Sequence, residues 1–200
     1  MLNNNLFSGQ NASEKRALAQ RLVNLVAHGY APRDVEREMF LFELRQIERH
    51  HPRLIHLVRA CAFAPYVNPE IIGALRDNPA DTSQNENLYN KLGVFAFVHQ
   101  HPHGMSYDAG ARNFLLHEWD SIPSEQSVYQ GRLRAYFEML GHQRFGEEDF
   151  EGCIDALSQA IRLAPDHLEI RSRRGQAYFV VGEYKQAFYD FQKCNELDDS

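Results

Sequence analysis

The run VFAFVHQHPHGMSY, residues 94–107, places His99, His101 and His103 at a spacing of two. Imidazoles at that interval suit two different jobs. On one strand face His99 and His101 point the same way, and with His103 and the neighbouring His117-Glu118 they offer the nitrogen and carboxylate ligands that zinc holds at about 2.0–2.1 Å. Against that chemistry, Pro102 and Gly104 turn the chain between the ligands, and neither an H-E-x-x-H motif nor a cysteine pair stands nearby. His-Pro-His-Gly has proline second and glycine fourth, the preference of a type I turn. The reading adopted is therefore the polar tip of a β-hairpin, with no metal site.

Acid–base chemistry has one other candidate region, where Glu43 and Glu48 stand near His50 and His51. These residues fall on the outer side of a proposed helix, where charges at such spacing form solvated i,i+4 pairs. A glycine-flanked serine, a cysteine with a placed histidine and a buried carboxylate pair are all missing, and no G-x-x-x-x-G-K-[ST] phosphate loop occurs. The expectation is a non-enzymatic protein without a cofactor.

The elements that position these residues follow from pattern and composition. With 44% hydrophobic and 12% aromatic residues over 200 positions, the chain can bury a proper core. Its formal charge of −6 argues against broad nucleic-acid affinity, which needs Lys and Arg to neutralise phosphates. Cys61, Cys153 and Cys194 are odd in number, widely spaced and set in apolar stretches, which points to free thiols in a reducing compartment. MLNNNLFSGQ lacks the basic flank and apolar core of a secretory signal, and no run approaches 18 apolar residues, so the expected location is cytoplasmic with no membrane span.

The fold class expected is mostly α. Residues 1–12 are read as a flexible N-terminus, 13–120 as a helical domain with a small β-hairpin, 121–133 as a linker and 134–200 as a helical repeat. Ser13 caps a first helix carrying Leu18, Leu22, Leu25 and Val26 inward, and Gly29 stops it. Pro32 and Asp34 open a second, with Val35, Met39, Phe42 and Ile47 facing the core and His50-His51-Pro52 ending it. An apolar segment runs from Leu54 to Tyr66, and Asn68-Pro69-Glu70 starts a short helix with Ile71, Ile72 and Leu75. Asp77–Asn87 reads as a loop, Leu88–Gly93 as a brief helix, Val94–Val98 and Met105–Tyr107 as strands, and Ala111–Trp119 as a helix.

From Arg134 onward the chain aligns with itself at an offset of 34 residues: Gly141 falls on Gly175, Phe150 on Tyr184, Cys153 on Ala187, Leu157 on Phe191, Ala160 on Cys194 and Leu163 on Leu197. LGHQRFGEEDFEGCIDALSQAIRLAP and RGQAYFVVGEYKQAFYDFQKCNELDD carry a small–aromatic–small pattern at this period, and in this they resemble the tetratricopeptide repeat. Departures are Arg144 where Tyr178 sits in the second unit, Arg174 in place of a usual leucine, and Asp199 where Pro165 closes the first unit. The resemblance implies two helical hairpins with a groove lined by Glu138, His142 and Phe145 from the first unit and Ser172, Gln176 and Phe179 from the second. Arg171, Arg173 and Arg174 either clamp a carboxylate-bearing peptide or form a solvated face paired with acids. Two repeats leave the last helix uncovered, so Phe188 and Phe191 form a possible association face.

RLIHLVRACAFAPYVNPEIIGAL and NLYNKLGVFAFVHQHPHGMSYDAGARNFLLHEW are similar to the winged-helix region of STAND-type signalling ATPases, where a repeat array often follows. Asp108 stands near the place where those proteins tend to carry a nucleotide-sensing histidine. The functional expectation is an adaptor or regulator that binds a protein segment or a second copy of itself. The alternative is a winged-helix transcription regulator whose repeats oligomerise or sense; Gln84–Lys91, with one lysine, makes a poor DNA-reading helix.

Overall fold

The computed structural model describes residues 12–119 and 122–198. The expectations for most of the N-terminus, for Ser121 and for Asp199 lie outside the described residues. The protein is mostly helical, with ten helices and one two-stranded antiparallel sheet among the described residues. It divides after Ile122 into two compact units, and from Pro123 onward the expected linker is the first half of a 24-residue helix.

The first unit runs α1 (Ala12–Ala27), α2 (Pro32–His50), α3 (Pro52–Cys61), α4 (Pro69–Leu75), α5 (Thr82–Leu92), β1 (Val98–His101), β2 (Gly104–Tyr107) and α6 (Ala109–Glu118). Ser13 lies inside α1 rather than capping it, and Val26 is exposed. In α2 the inward stripe is Phe40, Leu44, Gln46 and Ile47; Met39 is exposed and Val35 and Phe42 only half-buried. Apolar residues occupy both phases of MFLF, so periodicity alone cannot choose between them. The choice is made by Phe97 and Phe114, whose rings meet Phe40 edge-on at 5.0 and 5.4 Å.

Short side chains set the helix starts. Asn68 accepts from Ile71 N–H at 2.9 Å, Asp81 from Gln84 N–H at 3.3 Å and Asp108 from Ala111 N–H at 2.7 Å, each meeting one orphan donor of a first turn. The Asp81 cap begins α5 within the stretch expected to be a loop. That stretch looks like a loop because the helix hides a polar inner side: Asn85 is buried, donates to Asn78 O at 3.2 Å and accepts from Arg76.

The hairpin pairs Val98 with Tyr107 and His101 with Gly104 around Pro102-His103. Val94–Phe97 is not strand. Its burial alternates, with Phe95 and Phe97 inside, yet Phe95 N–H and Val98 N–H close turns onto Leu92 O and Phe95 O. A third extended residue joins the sheet, because Val67 and Met105 exchange backbone bonds of 2.6 and 2.9 Å. That contact requires glycine at 104, where φ is +140° and a Cβ would stand 2.2 Å from Val67 O.

The second unit is α7 (Pro123–Gly146), α8 (Phe150–Leu163), α9 (Leu168–Val180) and α10 (Tyr184–Asp198). Each helix packs on the next, and α7 also meets α9. The offset of 34 seen in the sequence recurs in the geometry. Glu148 N–H bonds Phe145 O and Asp149 N–H bonds Arg144 O; 34 residues later Gly182 bonds Phe179 O and Glu183 bonds Tyr178 O, at matching lengths of 3.2 and 2.9 Å. The aromatic pairs Phe145–Phe150 and Phe179–Tyr184 also repeat, edge-on at 5.3 and 5.5 Å.

The turn residues Glu148 and Gly182 both have positive φ, 62° and 84°. A left-handed residue with a Cβ costs about 1–2 kcal/mol, whereas glycine adopts the conformation freely. Glu148→Gly is therefore expected to raise stability by about 1 kcal/mol, and Gly182→Ala to lower it by a similar amount. Thermal melts of the two variants check the pair of signs.

Candidate functional site

Two of the three histidines come together, with the ring centroids of His101 and His103 5.6 Å apart. His101 and His103 both pack on Tyr66, with ring centroids 5.3 and 5.2 Å away, and His101 Nδ1 accepts the His103 backbone N–H at 3.2 Å. His99 sits opposite Ser106. Among the described residues no group of three or more His, Cys, Asp or Glu is placed to hold a metal ion.

The acids near His50 and His51 have structural partners. Glu43 accepts from Ala96 N–H at 3.1 Å, and burial raises its pKa against the pull of that bond. Glu48 accepts from Arg59 at 2.6 Å, and Arg59 also reaches Glu118 at 3.1 Å. Burial pushes the thiols of Cys61 and Cys153 up to about 12 and about 11, so both are protonated at neutral pH. Asp108 serves as the α6 cap described above.

Of the six groove residues, Glu138 is bonded to Arg134 at 2.6 Å, and His142 has a buried Nε2 without a hydrogen-bond partner. Phe145 is half-buried under the Arg173 guanidinium, which stands 5.2 Å from its ring centroid and joins α7 to α9. Ser172 is half-buried, Gln176 is exposed within 3.5 Å of Arg173, and Phe179 is exposed against Tyr184.

The three arginines do not act as one clamp. Arg174 donates Nε and Nη2 to the two oxygens of Asp190, both at 2.7 Å, and Nη1 to Ser158 Oγ at 3.0 Å. Arg171 reaches the same carboxylate at 3.5 Å and donates Nε to Pro165 O at 2.7 Å. Their carboxylate is supplied by the chain itself, from a residue with no exposed surface. Asp190 carried no mark in the sequence reading. The available signal was the offset: 34 residues before Arg174 and Asp190 stand Leu140 and Ala156, so one apolar pair has become one ionic pair.

The two residues of the expected association face lie differently. Phe191 turns into the α9–α10 seam, where its Cε1 lies 2.9 Å from where a Cβ on Gly175 would be. Phe188 does project outward, 68% exposed, and Phe179, Val180, Val181, Tyr184 and Tyr189 of the second unit are exposed as well. No protein-family model, no curated protein and no solved structure matches the chain. Among the described residues no helix is long and apolar enough to cross a membrane.

Proposed function

We propose that the chain is a non-enzymatic interaction module, an adaptor or regulator, whose second unit is a pair of tetratricopeptide-type hairpins that bind a protein segment or a second copy. The observation that carries this reading is the contrast between α8 and α10. In α8, packed between α7 and α9, five apolar side chains are buried: Cys153, Ala156, Leu157, Ala160 and Ile161. In α10, which packs on α9 alone among the helices of its unit, only Ala187 and Asp190 are buried, and the rings of Tyr184, Phe188 and Tyr189 are exposed. A repeat helix with one neighbour leaves its other face open to a partner. The matching turns and aromatic pairs at an offset of 34 support the repeat assignment.

The first unit is read as a winged-helix scaffold. The single-residue bridge of Val67 to Met105, between α3 and α4, stands in this reading where a winged helix has its first strand, and it is followed by α4, α5 and the β1–β2 hairpin. As a DNA reader it is poorly equipped, since α5 presents Gln84, Glu86 and Asn87 beside its single Lys91.

Sedimentation velocity of the full chain over a range of concentrations, followed by selection from a displayed peptide library, tests the proposal. Self-association or peptide binding that Phe188→Glu or Phe179→Glu abolishes is the expected result. A monomer that yields no binder sensitive to either substitution would falsify it.

A further inference from the structure

In the first unit, a pocket of about 520 Å³ opens where the start of α3, the end of α4 and the outer side of α5 come together. Leu54, Leu57 and Leu88 form its apolar part, and Arg53, Arg76 and Lys91 its charged part; no carboxylate lines it. In a chain of formal charge −6, other arginines hold acids of their own: Arg49 on Glu14, Arg59 on Glu48 and Glu118, Arg134 on Glu138. Arg53 and Lys91 make no ion pair among the described residues.

Arg76 behaves differently from the other two cations. It donates to Asn85 and, at 3.3 Å, to Asp81, so its guanidinium is fixed in place and its charge is largely matched. The uncompensated charge of the pocket is thus that of Arg53 and Lys91, two positive groups. Two cations facing one cavity repel each other, and the complement that removes the repulsion is a dianion. A phosphate monoester carries about −1.5 to −2 charges at neutral pH and offers oxygens to several donors at once. The leucines do not suit a bare phosphate, which would gain nothing from them. They suit an ester whose organic group is apolar, and the volume falls within the roughly 300–1,000 Å³ range of small-molecule sites.

We propose that this pocket binds a small phosphate monoester with an apolar body, the phosphate held by Arg53, Lys91 and the pre-oriented Arg76, and the organic group lying on Leu54, Leu57 and Leu88. The site belongs to the first unit and is independent of the interaction reading of the second, so either can fail alone.

Calorimetric titration of the full chain with hexyl phosphate and with inorganic phosphate tests it, with vesicles containing phosphatidic acid as a further arm. Hexyl phosphate is expected to saturate one site and to bind at least about tenfold more tightly than inorganic phosphate, because only the ester covers the leucines. Arg53→Glu and Lys91→Glu should each weaken binding by about tenfold or more, the loss of one charge-assisted contact, while Lys91→Arg retains it. Both residues are without ion-pair partners, so circular dichroism should show the variants folded. Vesicle binding with the same sensitivity to substitution identifies a lipid headgroup as the source of the phosphate. Equal affinity for the two phosphates, or unchanged affinity in the charge-reversed variants, overturns the proposal. So does retention of duplex DNA that the same two substitutions abolish, in the absence of hexyl phosphate binding.

Discussion

Asp190→Ala is expected to lower the free energy of unfolding by about 3–5 kcal/mol, the cost of removing one member of a buried ion pair. The carboxylate has no exposed surface, and Arg174 and Arg171 keep side-chain exposures of only 15% and 11%. Alanine leaves two guanidinium groups in the α9–α10 seam without a counter-charge. Arg174 cannot escape by losing a proton, because a guanidinium stays charged in proteins; in the parent chain burial pulls its pKa down, and the hydrogen bonds and charge of Asp190 together with the neighbouring tyrosines hold it above the ordinary value. Circular dichroism melts of the full chain measure the loss, and hydrogen exchange in α9 and α10 locates it.

The first hairpin supplies the rescue. At the equivalent positions it holds Leu140 and Ala156, which pack without charge. Apolar replacements of buried ion pairs are commonly neutral or stabilising by about 1–4 kcal/mol, so Arg174→Leu combined with Asp190→Ala is expected to regain most of what Asp190→Ala loses. Arg171 keeps its bond to Pro165 O in that variant. A double variant no more stable than the single one would show that Asp190 serves mainly Arg171.

What the sequence disclosed, and what it hid, divide along physical lines. Spacings imposed by local geometry were legible: the Pro102-His103 turn, the Asn68 cap, and the offset that returns Gly141 and Phe150 as Gly175 and Tyr184. Features that depend on a distant partner were not. Whether Met39 or Phe40 faces inward in α2 is settled by Phe97 and Phe114, more than fifty residues away. Phe95 and Phe97 alternate as a strand would, but their inward placement is fixed by aromatic packing and their backbone bonds are turns. In the candidate site, the arginine run Arg171–Arg174 changes meaning once Asp190 is placed beside it. Composition shows how many charges a segment carries, and it is silent on which of them are already neutralised.

Gly141→Ala and Gly131→Ala, both in α7, are expected to move stability in opposite directions. An alanine Cβ at 141 would stand 2.3 Å from Leu157 Cδ2 and 2.6 Å from its Cγ, and Leu157 is fully buried, so the leucine has no open space into which to retreat. Separating α7 from α8 to relieve the contact loosens a close-packed seam, a penalty of about 1–3 kcal/mol. At 131 nothing lies within 4 Å of the added carbon, so only the helix preference for alanine remains, a gain of about 0.5–1 kcal/mol. Because one helix hosts both changes, the difference in melting temperature between the two variants isolates the close approach from intrinsic helicity. Gly175→Ala should fall between them: its Cβ meets the edge of the half-buried Phe191 ring at 2.9 Å, and a ring at the open end of the stack can tilt. Gly175→Leu removes that latitude and is expected to cost about 3 kcal/mol or more. Should Gly141→Ala melt no lower than the parent chain, the glycine is not what allows α7 and α8 to approach, and the repeat would have to be built on the aromatic turns alone.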